Sequence, residues 1–306
     1  MAARILSALL MVCFAASCGL IKRHSETPPE STDRLFELKQ LYEERLSQAA
    51  AMRDTETGWL ARWDCDAMIW SGQYASATGV SGVDILAAEF DGSGRFSRRP
   101  MPPCWDGSDQ GSKTTWSRDM YLAGLLPWAW YTSQREVLER HARYGKENNW
   151  IMGEPLDDGR VVYTPSLIGI TFKAIEALGG EHDVNSIWPD VYPSGLVDYE
   201  AHLQAMSILL HGEIAAKMDG SALTLDISNT MFERIIEHAN NVPEEPLYAF
   251  LAAKYDGKMT HVLDLLLDPS MPMGGFVRCS EPSQCRLAHW LFVASLTIRW
   301  MEAERG

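Results

Sequence analysis

Several acidic, basic and hydroxylic residues stand where apolar helical stretches begin. Asp64 and Asp66, in Trp63-Asp64-Cys65-Asp66, lead into a stretch from about residue 66, and Ser117, Arg118 and Asp119 open another. Tyr163 and Thr164 precede a third, and Tyr199, Glu200 and His202 open a fourth. Arg278 precedes the last, with His289 one turn farther in. Two carboxyl groups flanking a glycosidic bond suffice to hydrolyse it, one protonated as acid, the other a base or nucleophile. Asp66 and Asp119 are the preferred pair because they open two different helices. The dipole at a helix N-terminus holds a carboxylate ionised, which suits a base, whereas the acid needs a drier place. Glu154, in Asn148-Asn149-Trp150-Ile151-Met152-Gly153-Glu154, is the reserve carboxylate, and His202 is a candidate base. Trp105 and Trp150, in loop contexts, suit stacking on a sugar ring; Arg118, Tyr163, Arg278 and His289 complete the candidate binding set. Each has a plainer reading. Asp is a favoured N-terminal cap, His202 is equally a hydrogen-bonded core histidine, and Arg118 an ion-pair partner of Asp119.

The elements that must position these residues are helices. Helical periodicity covers about 33–53, 66–77, 117–133, 134–148, 165–179, 198–217, 222–240, 246–256, 259–268 and 284–304, with strand signals only near 82–100 and 160–163. Thr164-Pro165 is a cap followed by proline at the first helical position, and Asp198 or Ser283 can cap the helices after them. Gly179-Gly180 and Gly257 mark helix ends, and Pro127 makes its helix kink or restart. The stretches from 66, 117, 165, 198, 246 and 284 are apolar or small-residue-rich, as in Tyr121-Leu122-Ala123-Gly124-Leu125-Leu126. Those from 134 and 222 are charged on one face. Helices apolar all round are buried and amphipathic ones cover them, so the alternation predicts an all-α toroid of inner and outer helices with long loops. An open superhelix of stacked helix pairs is the alternative. In a toroid the parallel inner helices bring their N-termini, and the residues above, to one mouth.

Trp116-Ser117-Arg118-Asp119-Met120 opening an apolar helix, with Trp59, Trp63, Trp70 and Trp105 upstream, resembles the helix starts of (α/α)6 carbohydrate-active enzymes. That superfamily includes glucoamylase-like hydrolases, unsaturated glucuronyl hydrolases and polysaccharide lyases. The likeness spans about residues 55–304 and implies a glycan substrate and, commonly, an inverting mechanism. A lyase would use Tyr163 or His202 as base and Arg118 or Arg278 against a uronate, with Arg95, Arg98 and Arg99 guiding the anion. A non-catalytic envelope protein that binds glycan or protein is the third reading. No cofactor is expected: nucleotide-binding glycine loops and nucleophile elbows are absent. No metal is expected either, since Asp106 to Gly111 departs from the calcium-loop pattern and the cysteine spacings are not those of zinc motifs.

Lys plus Arg number 27 against 41 Asp plus Glu, a net charge of -14, which argues against nucleic acid as a partner. Arg4, the apolar run Ile5 to Ala16 and then Ala15-Ala16-Ser17-Cys18 look like a bacterial lipoprotein signal, too short to span a bilayer. The expected organisation is a signal peptide at 1–17, a lipid-anchored tether at 18–32 starting with acylated Cys18, and one domain at 33–306. The tether is rich in Pro, Ser and Glu. Of the three pairings open to the remaining four cysteines, the nearest are Cys65 with Cys104 and Cys279 with Cys285.

Overall fold

A computed structural model describes residues 30–79, 83–98, 100, 116–152, 161–181, 198–218, 228–270 and 279–305. The chain divides after Arg34. Of the N-terminal unit only the first turn of α1 (Glu30–Met52) is described. The main unit, Leu35–Gly306, is all-α apart from a hairpin of two-residue strands. Its remaining helices are α2 (Ala67–Thr78), α3 (Arg118–Met120), α4 (Leu126–Tyr131), α5 (Arg135–Glu147), α6 (Pro165–Ala177), α7 (Asp198–Lys217), α8 (Ser228–Asn241), α9 (Pro246–Asp256), α10 (Met259–Leu267) and α11 (Pro282–Ala303). A π-helical segment, Tyr121–Leu125, joins α3 to α4. Among the described residues no helix is long and apolar enough to cross a membrane.

The division into two kinds of helix is present in the packing. Every residue of α2 from Ala67 to Ser76 is buried, and α11 is buried continuously from Leu287 to Thr297. In contrast, α5 buries only Val137, Leu138, His141, Ala142 and Gly145, and α10 only Met259, Val262, Leu263 and Leu266. Helix α2 packs against the π-segment and α4 on one side and against α11 on the other. Helix α7 touches the π-segment, α6 and α9, and α9 touches α11. The first and last buried helices of the chain are therefore neighbours. The amphipathic α5 lies on α4 and α6, and α8 lies on α7 and α9.

Two glycines set the closest of these approaches. A Cβ at Gly124 would lie 2.5 Å from the Met68 carbonyl oxygen, and one at Gly72 would collide with the Gly124 carbonyl. Only hydrogen at both positions lets the π-segment lie backbone to backbone on α2. The break expected at Pro127 takes the form of this segment: the ladder widens over Tyr121–Leu125 and restarts at Leu126, with Pro127 in the new first turn, where no amide donor is needed.

Thr164 caps α6 as expected, accepting from the Leu167 amide at 3.3 Å. Ser283 does not cap: α11 starts at Pro282, one residue earlier, with Glu281 at the cap position. The strand signals correspond to β1 (Glu89–Phe90) and β2 (Arg95–Phe96), an antiparallel pair, and to a single bridge between Ile151 and Val162. Arg140 of α5 holds the hairpin through two bonds to Glu89, at 2.9 and 2.7 Å.

Candidate active site

The two aspartates before α2 divide their labour. Asp64 is buried, and both its oxygens are engaged. Oδ1 accepts from the Asp66 amide at 2.8 Å and from Trp70 Nε1 at 3.2 Å. Oδ2 accepts from the Ser280 amide at 2.6 Å and its hydroxyl at 2.9 Å. Asp64 thus ties the start of α2 to the start of α11. Asp66 occupies the cap position yet caps nothing. Its Oδ1 accepts from Arg98 Nη1 at 2.7 Å, while the Arg98 carbonyl receives the Met68 amide at 3.0 Å, supplying α2 with a backbone cap instead. Burial pushes the Asp66 carboxyl up to about 7; the Arg98 guanidinium pulls the other way, and the negative charges of Asp119 and Asp64 add to the rise.

Asp119, in the first turn of α3, is 5% exposed, and its Oδ1 has no hydrogen-bond partner among the described residues. The capping residue Ser117 makes no side-chain cap bond either. Arg118 is exposed and makes no ion pair with Asp119 among the described residues. A carboxylate oxygen buried without a partner costs several kcal/mol, so the described residues give no structural reason for Asp119. The Asp119 charge acts on Asp66, so the two carboxyls stand within electrostatic reach of each other.

The Asp119 charge also acts on Tyr163. Tyr163 is 3% exposed, within a cluster of Phe96, Trp116, Tyr121 and His141. His141 Nδ1 faces the Gly94 carbonyl at 2.7 Å and must donate to it, leaving Nε2 to accept from the Tyr163 hydroxyl at 2.9 Å. Trp116 Nε1 donates to the same oxygen at 2.8 Å. Burial holds Tyr163 well above the usual phenol range and His141 down at about 4, so both are neutral near pH 7. The Tyr163 proton is committed to His141.

A third group lies on α2, α7, α9 and α11. His289 is fully buried; Nε2 meets Glu245 Oε1 at 2.7 Å and Nδ1 meets Gln73 Oε1 at 3.1 Å. His202, also buried, has its ring 5.9 Å from that of His289, and burial drives its pKa well below the ordinary value. Neither imidazole faces open solvent. Glu245 and Gln73 have no counterpart in the expected set. Glu245 caps α9 through the Leu247 amide at 3.2 Å, and its second oxygen is buried without a partner among the described residues. Its signal was a Glu directly before Pro246, where Ser, Thr, Asp or Asn is usual; that of Gln73 was an amide inside a helix of small and apolar residues.

Trp150 is half-buried: it adopts a left-handed backbone (φ 60°), lies on Gly145 of α5 and meets Phe172 edge-on at 5.7 Å. Glu154, Trp105, Arg278, Cys104 and Cys18 lie outside the described residues, as do the side chains of Tyr199 and Glu200. Cys279 and Cys285 form the expected disulfide, and Cys65 is disulfide-bonded as well. Asp64 and the sulfurs of Cys279 and Cys285 lie within 4.8 Å of one another, but the disulfide between the two cysteines leaves no thiolate there to ligate a metal. Comparison with protein-family models, curated proteins and solved structures finds no match.

Proposed function

We propose that the chain is an exported glycan-active enzyme, a toroid of inner and outer helices that hydrolyses a glycosidic bond with Asp66 as acid and Asp119 as base. The observation that carries this is the pair itself. Burial pushes one carboxyl up to about 7 within electrostatic reach of a second, buried carboxyl, and neither caps the helix it opens. Burial and like charge outweigh the helix dipole at Asp66, which moves that residue from the base role to the acid role. Arg98 keeps the acid oriented.

The toroid is supported by the contact of α2 with α11 and by side chains that link the buried helices near their starts or a turn or two inside. Asp64 reaches Ser280, Asp66 feels Asp119, and Glu245 reaches His289. Hydrolysis is favoured over elimination because the Tyr163 hydroxyl is enclosed and already bonded on both sides. Disulfides at Cys65 and Cys279 support export, as an oxidising compartment is where they persist. Lipidation at Cys18 completes the reading; Cys18→Ser is expected to release the protein from the membrane fraction.

The test is incubation of the purified protein with a panel of neutral glycans, reading reducing ends for hydrolysis and ultraviolet absorbance for the unsaturated product of elimination. Asp66→Asn and Asp119→Asn are each expected to lower hydrolysis by about 10²- to 10⁴-fold. Unchanged turnover in either variant overturns the assignment, and absorbance without new reducing ends in the wild type would identify a lyase instead.

A further inference from the structure

We propose that Trp63 is a fixed stacking platform for a pyranose ring of a neutral glycan, at the rim beside Asp66; this rests on the hydrolytic reading of the Asp66 and Asp119 site. Among the described tryptophans Trp63 is the most exposed, at 55%, whereas Trp59, Trp70, Trp116 and Trp290 are at 2% or less. A large apolar ring left in water is unfavourable, and a loop free to move would fold it inward. Here the backbone forbids that. Ala61 is held in the left-handed region at φ 50°, a strain that persists only where the surroundings impose it.

Those surroundings are hydrogen bonds with the start of α11. The Ala61 amide donates to Gln284 Oε1 at 2.7 Å and the Trp63 amide to Glu281 Oε2 at 2.9 Å, while Gln284 Nε2 donates to Glu281 Oε1 at 2.6 Å. Asp64 is bonded to Ser280, and Cys65 is in a disulfide. The segment 61–65 is therefore clamped on both sides of Trp63. The guanidinium of Arg62 lies 4.4 Å from the centre of the indole and is itself paired with Asp54, so the ring is backed by a fixed cation.

A planar apolar surface fixed in water, with its orientation already determined, suits the apolar face of a sugar ring, because stacking on it immobilises little that is not already fixed. Trp63 is three residues from Asp66, so their Cα atoms lie at most about 11 Å apart, a span that about two sugar units cover. The net charge of -14 selects against polyanions as the polymer bound.

The experiment is affinity electrophoresis of the detergent-solubilised full chain carrying Asp66→Asn, through gels containing glycol chitin, hydroxyethyl cellulose or galactomannan, against a gel without polymer. At least one polymer is expected to retard it. Adding Trp63→Ala should weaken that retardation about five- to tenfold, and Trp63→Phe should restore part of it. Equal mobility of all three proteins in the polymer-free gel, with equal melting temperatures, separates loss of the platform from loss of the fold. Absence of retardation in every polymer, or retardation indifferent to Trp63, overturns the platform. Retardation that depends on Trp63, together with unchanged turnover when Asp66→Asn or Asp119→Asn is compared with the wild type, keeps the platform and overturns the hydrolytic reading.

Discussion

Replacing Asp66 by Asn changes how stability depends on pH, and the sign and size of that change follow from the burial of the carboxyl. Between about pH 4 and 7 the folded protein holds a proton on Asp66 that the unfolded chain has released. Folding therefore takes up a proton in this window, and stability falls as pH rises through it. Three pKa units correspond to a ceiling of about 4 kcal/mol, and screening by water at a side chain 31% exposed brings this to about 2 kcal/mol. Asn keeps an acceptor for Arg98 but never ionises. The difference in stability, Asp66→Asn minus wild type, should be near zero at pH 4 and grow in favour of the variant to about 2 kcal/mol by pH 7.5, then stay flat. Thermal melts at intervals of half a pH unit read this as a gap opening to about 4 °C. Other titrating groups are common to both proteins and cancel in the difference. A gap independent of pH refutes the reasoning. A gap of opposite sign shows that attraction to Arg98 exceeds the cost of burial, leaving Asp66 ionised at neutral pH and unable to serve as the acid.

Three other perturbations test the frame around the site. Gly124→Ala places a methyl group 2.5 Å from the Met68 carbonyl and is expected to cost about 3 kcal/mol or more, read by urea unfolding; a loss below 1 kcal/mol would mean that the helices separate freely. Asp64→Ala leaves the Ser280 and Asp66 amides without their acceptor and should cost about 3 kcal/mol, more than the roughly 2 kcal/mol for Cys285→Ser, whose disulfide closes a short loop. Tyr163→Phe removes the hydroxyl shared by Trp116 and His141 and should cost about 2 kcal/mol while leaving kcat within a few fold; a loss of turnover on the scale of the aspartate variants would restore Tyr163 as a base.

Much of the helical frame was legible in the sequence because its signals are local. Pro246 and Gly257 bracket α9, and Thr164-Pro165 starts α6, each through the chemistry of its own few residues. What escaped is set by partners far along the chain. Asp64 and Asp66 are the same residue type two positions apart, and Ser280, 216 residues beyond Asp64, decides which of them is structural. Ser283 has the chemistry of a cap but loses the position to an earlier start at Pro282. The close approach of the π-helical segment to α2 depends on Gly72 and Gly124 together, and neither glycine advertises the other.

On the hydrolytic proposal, the buried polar groups that remain unmatched indicate where chemistry is carried in the fold. Asp64, His141 and Tyr163 have every hydrogen-bonding atom spent, so their burial is explained by structure. Asp119 Oδ1, Glu245 Oε2 and Gln73 Nε2 are buried without partners among the described residues. Asp119 and Glu245 stand at the starts of helices, and Gln73 lies seven residues beyond Asp66, on the same face of α2 and about 10 Å deeper. The other ends of α2 and α11 look different. There a cleft of about 270 Å³ is lined by Lys39, Tyr42, Arg299 and neighbours. Lys39 is paired with Glu302, Tyr42 donates to the Ala77 carbonyl, and Arg299 lies over Tyr131. Its cations and its phenol are already engaged, although Tyr131, the last residue of α4 and beneath Arg299, also keeps a buried hydroxyl without a partner among the described residues. Unmatched groups are costly to keep, and on the hydrolytic proposal the Asp119 and Glu245 oxygens would put the reacting bond at the N-terminal ends of the helices they open.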